Sequence, residues 1–204
     1  NYDGVGNSLV NASWDLVLYD ACRREPALTL FLNTNVYETR TEDNRVTEAV
    51  GLQSGTEKRL RFQAWYFVDA TGDGTVGMEA GVPYRIGQEA LSEYGESLAP
   101  QKAWTHTEGN SLFFRAVDTG RPVDFVPPEW AVKYESEDAF RYRPHQPPRA
   151  GYWWIEIGWP YDTIADNEAL RDELLPHVLG VWDHIKNRCK HRDNMRNWAL
   201  DWIG

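Results

Sequence analysis

The chain has 204 residues, enough to bury a sizeable core, and this length predicts one domain or slightly more. Its 31 acidic and 21 basic side chains give a net charge of -10, which argues against nucleic acid or an anionic membrane as the main partner, because both require a basic surface. No run of 18 apolar residues and no leader of basic and then apolar residues is visible, so the sequence predicts neither a membrane span nor a signal peptide.

We therefore expect a cytoplasmic location in preference to a periplasmic one. The first residue is Asn1 rather than Met, so we also expect the chain to be a processed or excerpted piece of a longer protein.

The first third of the chain combines one helix with several short strands. Ser13 fits an N-cap, apolar residues follow at helical spacing and Pro26 stops the run, so a helix is predicted over residues 13–25. Closely spaced strands joined by polar turns indicate an antiparallel meander rather than βαβ units. The last of these strands is apolar on both faces, which is typical of a larger buried sheet. The predicted strands cover residues 28–32, 36–41, 46–52 and 60–68.

The remainder begins with the turn DATGDG at residues 69–74. A change of composition near residue 100 predicts a boundary between domains 1–99 and 100–204. Together the elements predict an α/β protein of α+β character, with the meander in its first part and mixed strands and helices, ending in helices, in its second. Helices are predicted over residues 75–80, 87–98, 166–175, 176–188 and 193–202, and strands over 111–117 and 152–159.

The turn at residues 69–74 is the strongest local signal for a ligand. Gly72 and Gly74 allow positive φ and a close approach of the backbone to a bound molecule, and Asp73 can accept hydrogen bonds from ligand hydroxyls. Asp and Gly also form ordinary surface turns, so a plain turn stays an open alternative.

No metal site is predicted. The calcium-loop pattern that begins at Asp69 fails, because its twelfth position is Ala80 instead of the bidentate Glu. His184, Cys189 and His191 lie near one another in sequence, but no pair has the i,i+4 spacing that places two ligands on one helix face. A solvated helix face is the expectation for these three residues.

A second candidate site lies in the aromatic strand over residues 152–159. Strand alternation places Trp153, Ile155, Ile157 and Trp159 on the core face, and Tyr152, Trp154 and Glu156 on the opposite face. An aromatic ring beside a carboxylate suits a substrate pocket or a sugar platform, and a sheet surface without function stays an alternative. The chain holds 10 Trp, so a carbohydrate-binding or carbohydrate-processing module is a second hypothesis for its function.

Three segments carry a resemblance to a known family. They are FVDATGDG at 67–74, AGVPYR at 80–85 and SEYGESLAP at 92–100, and they resemble the FAD-dependent oxidoreductase family of glutathione-reductase-like flavoproteins. The order of helix, meander and returning strand is similar to the FAD-binding domain of that family. The family opens with a strand–GxGxxG–helix unit, which this sequence lacks, so the resemblance is to an internal portion.

The resemblance implies FAD as cofactor and assigns residues to it. Val36 would lie against the adenine, Thr71 and Gly72 near the AMP half, and Asp73 and Gly74 toward the pyrophosphate and ribityl chain. Residues 1–99 would then be a partial FAD-binding domain and residues 100–204 a substrate or cap region. The implied activity is hydride transfer through the flavin on a small-molecule substrate, and the sequence identifies no catalytic residue.

Overall fold

The computed structural model describes residues 13–145 and 152–204. Their contacts form two compact units, Asp15–Ile86 and a second unit that contains Gly87–Gly204. The predicted domain boundary near residue 100 lies inside the second unit, and the roles predicted for the two domains stay predictions. The described α-helices are α1 Trp14–Arg23, α2 Thr75–Glu79, α3 Leu91–Tyr94 and α4 Asn167–Asp183. The described strands are β1 Thr34–Glu42, β2 Arg45–Gln53, β3 Lys58–Gln63, β4 Asn110–Ser111, β5 Phe114–Asp118, β6 Glu156–Ile157 and β7 Trp198–Ile203.

The first unit contains the predicted antiparallel meander. Strands β1, β2 and β3 form one sheet in that order, with Val36 opposite Gly51 and Gly51 opposite Leu60. Asp43 and Asn44 join β1 to β2 with φ of 48° and 59°. Positive φ at both central residues is the conformation of a two-residue hairpin turn that matches the twist of its strands. The sequence prediction of a meander is confirmed.

A buried carboxylate ties the three strands of the meander together. Glu48 of β2 is 2% exposed, and its Oε2 accepts hydrogen bonds from Arg61 Nε at 2.9 Å and from Gln63 at 3.3 Å. Arg40 of β1 approaches the other oxygen at 3.4 Å. The hydrogen bond from Arg61 is the main reason why the pKa of Glu48 lies below its ordinary value.

Two predictions about this unit are wrong. Residues 28–32 are irregular instead of a strand, because an alternating pattern needs a partner for its backbone groups and the described sheet consists of β1, β2 and β3 alone. The strand predicted over residues 60–68 ends at Gln63, and Trp65 and Val68 beyond it are 78% and 90% exposed. The described residues therefore do not form the larger buried sheet.

The core of the second unit is built on α4. The helix buries Leu174, Val178 and Trp182 against Phe114 of β5, and the rings of Phe114 and Trp182 meet edge to face at 5.5 Å. Pro176 lies inside α4, where the sequence predicted a break between two helices. The helix tolerates the missing backbone donor because buried residues on both sides of Pro176 fix its position in the core.

The chain does not end in helices as predicted. Residues 198–203 form β7, which pairs antiparallel with β5, and Asp201 accepts a hydrogen bond from Arg115 Nε at 2.7 Å. The backbone partners are 80 or more positions earlier in the sequence, so a local helical pattern could not reveal them.

The prediction of a helix over residues 87–98 is also too long, since α3 ends where Gly95 adopts φ 71°. The mixed α/β class itself is confirmed by the four α-helices and seven strands of the described residues. None of these helices combines the length and the apolar character that crossing a bilayer demands.

Candidate functional site

The turn at residues 69–74 is held by the side chain of Asp69. Its Oδ1 accepts hydrogen bonds from the Thr71 backbone N–H at 3.1 Å and from the Thr71 hydroxyl at 2.7 Å. Its Oδ2 accepts one from the Gly77 backbone N–H at 2.9 Å, inside α2. These hydrogen bonds lower the pKa of Asp69 below its usual value of 3.8, and the bond from the Thr71 hydroxyl has the largest effect. Asp69 is therefore an ionised anchor that fixes the turn to the helix after it.

Thr71 has a structural part in the same arrangement. Its hydroxyl donates to Asp69 and accepts a hydrogen bond from the backbone N–H of Thr75 at 2.8 Å. The Thr71 hydroxyl is thus occupied by hydrogen bonds within the turn, so Thr71 would contact a ligand through its backbone. Sequence reasoning did not select Asp69 as a site residue, although Asp-x-Thr is a pattern of local side-chain-to-backbone bonding that would have identified it.

The segment from Gly72 to Gly74 presents open backbone to solvent. Gly72 and Gly74 have φ of 91° and 70°, and no heavy atom lies within 4 Å of the position where either would carry a Cβ. Within the described part of the chain, the backbone N–H groups of Gly72, Asp73 and Gly74 have no hydrogen-bond acceptor. The segment therefore offers three donors and one carboxylate to a ligand that is rich in oxygen atoms, and the polar chain of FAD fits this donor set.

Val36 lies half-buried in β1, opposite Gly51 of β2. Helix α2, which follows the turn, packs against β1. The structure thus brings the strand of Val36 beside the helix that the turn begins. A cleft of about 690 Å³ in this unit is lined by the end of α1 and by residues of the 28–33 and 53–56 loops. The turn does not line that cleft.

Trp154 and Glu156 come together at a smaller cleft of the second unit. Both line a space of about 270 Å³, together with Phe140 and His177. The Trp154 ring stacks on Tyr152 at 5.0 Å and its Nε1 donates to the Pro144 carbonyl at 2.9 Å. The Glu156 side chain lies against Gly109 and occupies the space that a Cβ on Gly109 would need.

The predicted alternation holds for Ile155, which is 3% exposed in the core, but is wrong for the tryptophans. Trp153 and Trp159, expected on the core face, are 63% and 67% exposed, whereas Trp154 is half-buried. Only Glu156–Ile157 form a strand, because residues 153–155 turn and the two-residue repeat of side-chain direction is lost.

The prediction of a solvated helix face is wrong for two of its three residues. His184 and Cys189 are 1% and 0% exposed, and His191 is half-buried. A π-helical turn, His184–Arg188, follows α4; His184 begins this turn and Cys189 directly follows it.

Taken together, a mixed α/β chain with an exposed Gly-Asp-Gly backbone fits a protein that binds an oxygen-rich ligand such as a dinucleotide cofactor. A comparison with known protein families gives a match to FAD dependent oxidoreductase over residues 4–203. The chain belongs to that family. No curated protein and no solved structure shows significant similarity to it.

The family match confirms three predictions from the sequence. The resemblance noted for residues 67–100 is to the family that matches, and FAD is the cofactor of that family. An oxidoreductase of this kind acts on a small-molecule substrate. The residues assigned to the cofactor, Val36 and those from Thr71 to Gly74, stay predictions.

Proposed function

We propose that this chain supplies the meander and the 69–74 turn of an FAD-binding domain, in an enzyme that transfers hydride between its flavin and a small-molecule substrate. The observation that carries the proposal is the exposed backbone from Gly72 to Gly74, with its three available N–H groups, within a chain that matches the family. Asp69 and Thr71 support it by holding this backbone in one conformation, which lowers the entropic cost of binding.

Each residue of the proposed site has a distinct role. The N–H groups of Gly72 and Gly74 donate to oxygen atoms of the cofactor, and the Asp73 carboxylate accepts from its hydroxyls. Val36 contributes apolar contact beside the adenine. FAD supplies the hydride chemistry when it is bound, while the protein binds and orients the reactants and excludes water.

The test replaces Gly72 with Val in the full-length protein and measures FAD binding by visible absorbance and flavin fluorescence. The new side chain would cover the backbone N–H groups, so FAD affinity is expected to fall by at least about tenfold, the equivalent of one lost net hydrogen bond. A thermal-shift series with added FAD gives a second readout, since a ligand at about 100 times its Kd adds about 2.7 kcal/mol of stability.

Gly81→Val is the matched control for this experiment. Gly81 has φ 75° and equally open surroundings, so the backbone strain, about 1–2 kcal/mol, is shared by both variants while only Gly72 belongs to the turn. FAD affinity should be retained in G81V. Equal affinity in G72V and the wild type would remove the turn from the binding site, and a full-length protein that acquires no flavin absorbance would overturn the function as a whole.

We also propose that Trp154 and Glu156 contact the substrate, since they line one cleft of the second unit. The carbohydrate hypothesis uses the same two residues. It has the weaker support, because one face of the Trp154 ring is stacked on Tyr152 and is not available as a sugar platform. Titration of tryptophan fluorescence with a panel of oligosaccharides separates the two hypotheses: a saturable response supports the carbohydrate module, and no response to any sugar removes it.

A further inference from the structure

Four side chains that have no part in the proposed function converge in the second unit. Glu137, His145, His184 and Cys189 each direct one potential donor atom inward, and all four atoms lie within 4.8 Å of one another. His145, His184 and Cys189 are buried and Glu137 is half-buried. The set contains two imidazoles, one thiol and one carboxylate, the ligand types that zinc prefers in proteins.

The backbone explains how residues so far apart in sequence meet. Glu137 begins the 3₁₀ helix Glu137–Phe140, and the His145 ring packs on Phe140 at 4.6 Å. His184 begins the π-helical turn and Cys189 directly follows it, and the Cys189 N–H donates to the His184 carbonyl at 2.7 Å. A π-helical turn contains more residues than an α-helical turn, so side chains five positions apart lie on one face of it, as side chains four positions apart do in an α-helix.

The Nδ1 atom of each of the two histidines already has a hydrogen-bond partner outside the cluster. Nδ1 of His145 lies 3.0 Å from the Arg143 carbonyl, and Nδ1 of His184 lies 2.9 Å from the Tyr134 carbonyl. A carbonyl oxygen only accepts, so each Nδ1 carries the hydrogen and each Nε2 faces the cluster. A backbone carbonyl that holds the second nitrogen in this way is the usual outer support of a metal-binding histidine.

The inner side of the cluster leaves one buried nitrogen without a partner. Nε2 of His184 is buried and has no hydrogen-bond partner within the described residues. It faces Glu137 Oε1 at 3.8 Å, whereas His145 Nε2 is hydrogen-bonded to Glu137 Oε2 at 3.0 Å. Glu137 is itself oriented by the Lys190 backbone N–H, 2.9 Å from Oε1. A cation at the centre of the cluster would give the buried His184 nitrogen a partner and would take the place of the hydrogen shared between His145 and Glu137.

We propose that Glu137, His145, His184 and Cys189 bind one zinc ion in tetrahedral coordination. Zinc bonds of about 2.0–2.3 Å place the donors roughly 3.3–3.8 Å apart, so the widest pair needs to close by about 1 Å. Four protein ligands leave no open position, which makes the site structural and not catalytic. The ion joins the 3₁₀ segment at Glu137 to the end of α4, independently of the flavin.

The experiment measures metal binding by the purified full-length protein. After exposure to zinc and removal of loose metal with a weak chelator, elemental analysis should give one zinc per chain. Cobalt(II) in its place should give the intense visible bands of tetrahedral coordination and a sulfur-to-cobalt charge-transfer band. Added zinc should raise the melting temperature, and a strong chelator should reverse the shift.

Two ligand variants and two controls identify the residues. Cys189→Ser should abolish the charge-transfer band, and His145→Gln should lower zinc affinity by at least about 100-fold, beyond the 10–100-fold cost of losing an outer partner. His191→Gln and Cys22→Ser should bind zinc as the wild type does, since His191 is adjacent in sequence but outside the cluster and Cys22 belongs to the first unit.

A wild-type protein that retains no zinc, or whose cobalt form lacks the sulfur band, overturns the proposal even when C189S does not fold. The same conclusion follows if H145Q and H191Q bind zinc equally well. Unchanged FAD binding on removal of zinc is expected, so failure of the metal site and failure of the proposed flavin function are separate results.

Discussion

At the scale of single residues, Asp69 decides the conformation of the turn. One carboxylate receives hydrogen bonds from both ends of the segment, at Thr71 and at Gly77. The glycines between are free to take positive φ, but freedom alone would leave the backbone unfixed. Asp69 has no proposed contact with the ligand, but it holds in place the backbone groups that are proposed to bind it.

Asp69→Asn should loosen this turn without unfolding the unit. An amide oxygen can replace one carboxylate oxygen as acceptor, and the two donors of Thr71 favour it on their side. The NH₂ group then faces the Gly77 N–H, which loses its acceptor. Amide hydrogen exchange at Gly77 should accelerate by roughly an order of magnitude, while exchange in β2 should not change. Asp73→Asn, at an exposed position in the same turn, is the control and should leave Gly77 protected. Equal protection of Gly77 in D69N would show that the carboxylate does not anchor the helix.

At the scale of secondary-structure elements, Glu48 links all three strands of the meander. Its folded-state pKa is lowered, chiefly by the Arg61 hydrogen bond, so its contribution to stability is present above the ordinary value of 4.5 and is lost as the pH falls through the folded pKa. The part of the stability that Glu48 contributes should therefore hold from neutrality down to pH 4.5 and decline as the pH falls below that value.

Glu48→Gln is the corresponding substitution. It removes the charge that pairs with Arg61 and Arg40, so the urea midpoint at pH 7 should fall and its dependence on acidic pH should weaken. Glu42→Gln, exposed at the end of β1, should change neither quantity. A pH profile of E48Q that coincides with that of the wild type would assign the acid sensitivity to other carboxylates.

The secondary-structure elements also show which features the local sequence pattern can predict. The helix start at residue 14, the hairpins of the meander and α2 follow from caps, turn residues and alternation, all of which act between neighbours in sequence. β7 and the irregular segment at residues 28–32 do not follow, because a strand exists only where a second strand supplies hydrogen bonds. The same limit applies to Trp153 and Trp154, whose exposed and packed roles are the reverse of those predicted.

At the scale of the whole molecule, the second unit is stabilised by a core around Trp182. The ring is 0% exposed and meets both Phe114 and Phe125 edge to face. Trp182→Ala should lower the free energy of unfolding of this unit by about 3–5 kcal/mol, from lost burial and the cavity left behind. Chemical denaturation measures the loss.

Trp130→Ala is the matched control. Trp130 lies in the same unit and is 58% exposed, so its removal should change stability by no more than about 0.5 kcal/mol. Similar losses in W182A and W130A would contradict a core centred on Trp182.

The sequence by itself determined the mixed α/β class, the meander, the family, and the segment from Asp69 to Gly74. Each of these depends on residue type at short spacing: glycines that allow positive φ, side chains that bond two residues away, and alternation along one strand. Such information lies within one turn or one hairpin, so it is complete in the sequence.

Only the tertiary structure decided the rest. The burial of His184, the approach of Glu137 and His145 to it, and the pairing of β7 with β5 all join residues that are distant along the chain. Local pattern assigns a histidine near the end of a helix to solvent; the packing of a 3₁₀ segment against a π-turn places it among three other donors. Contacts of this kind arise from the folding of the whole unit, because their entropic cost is offset only by the core that forms around them.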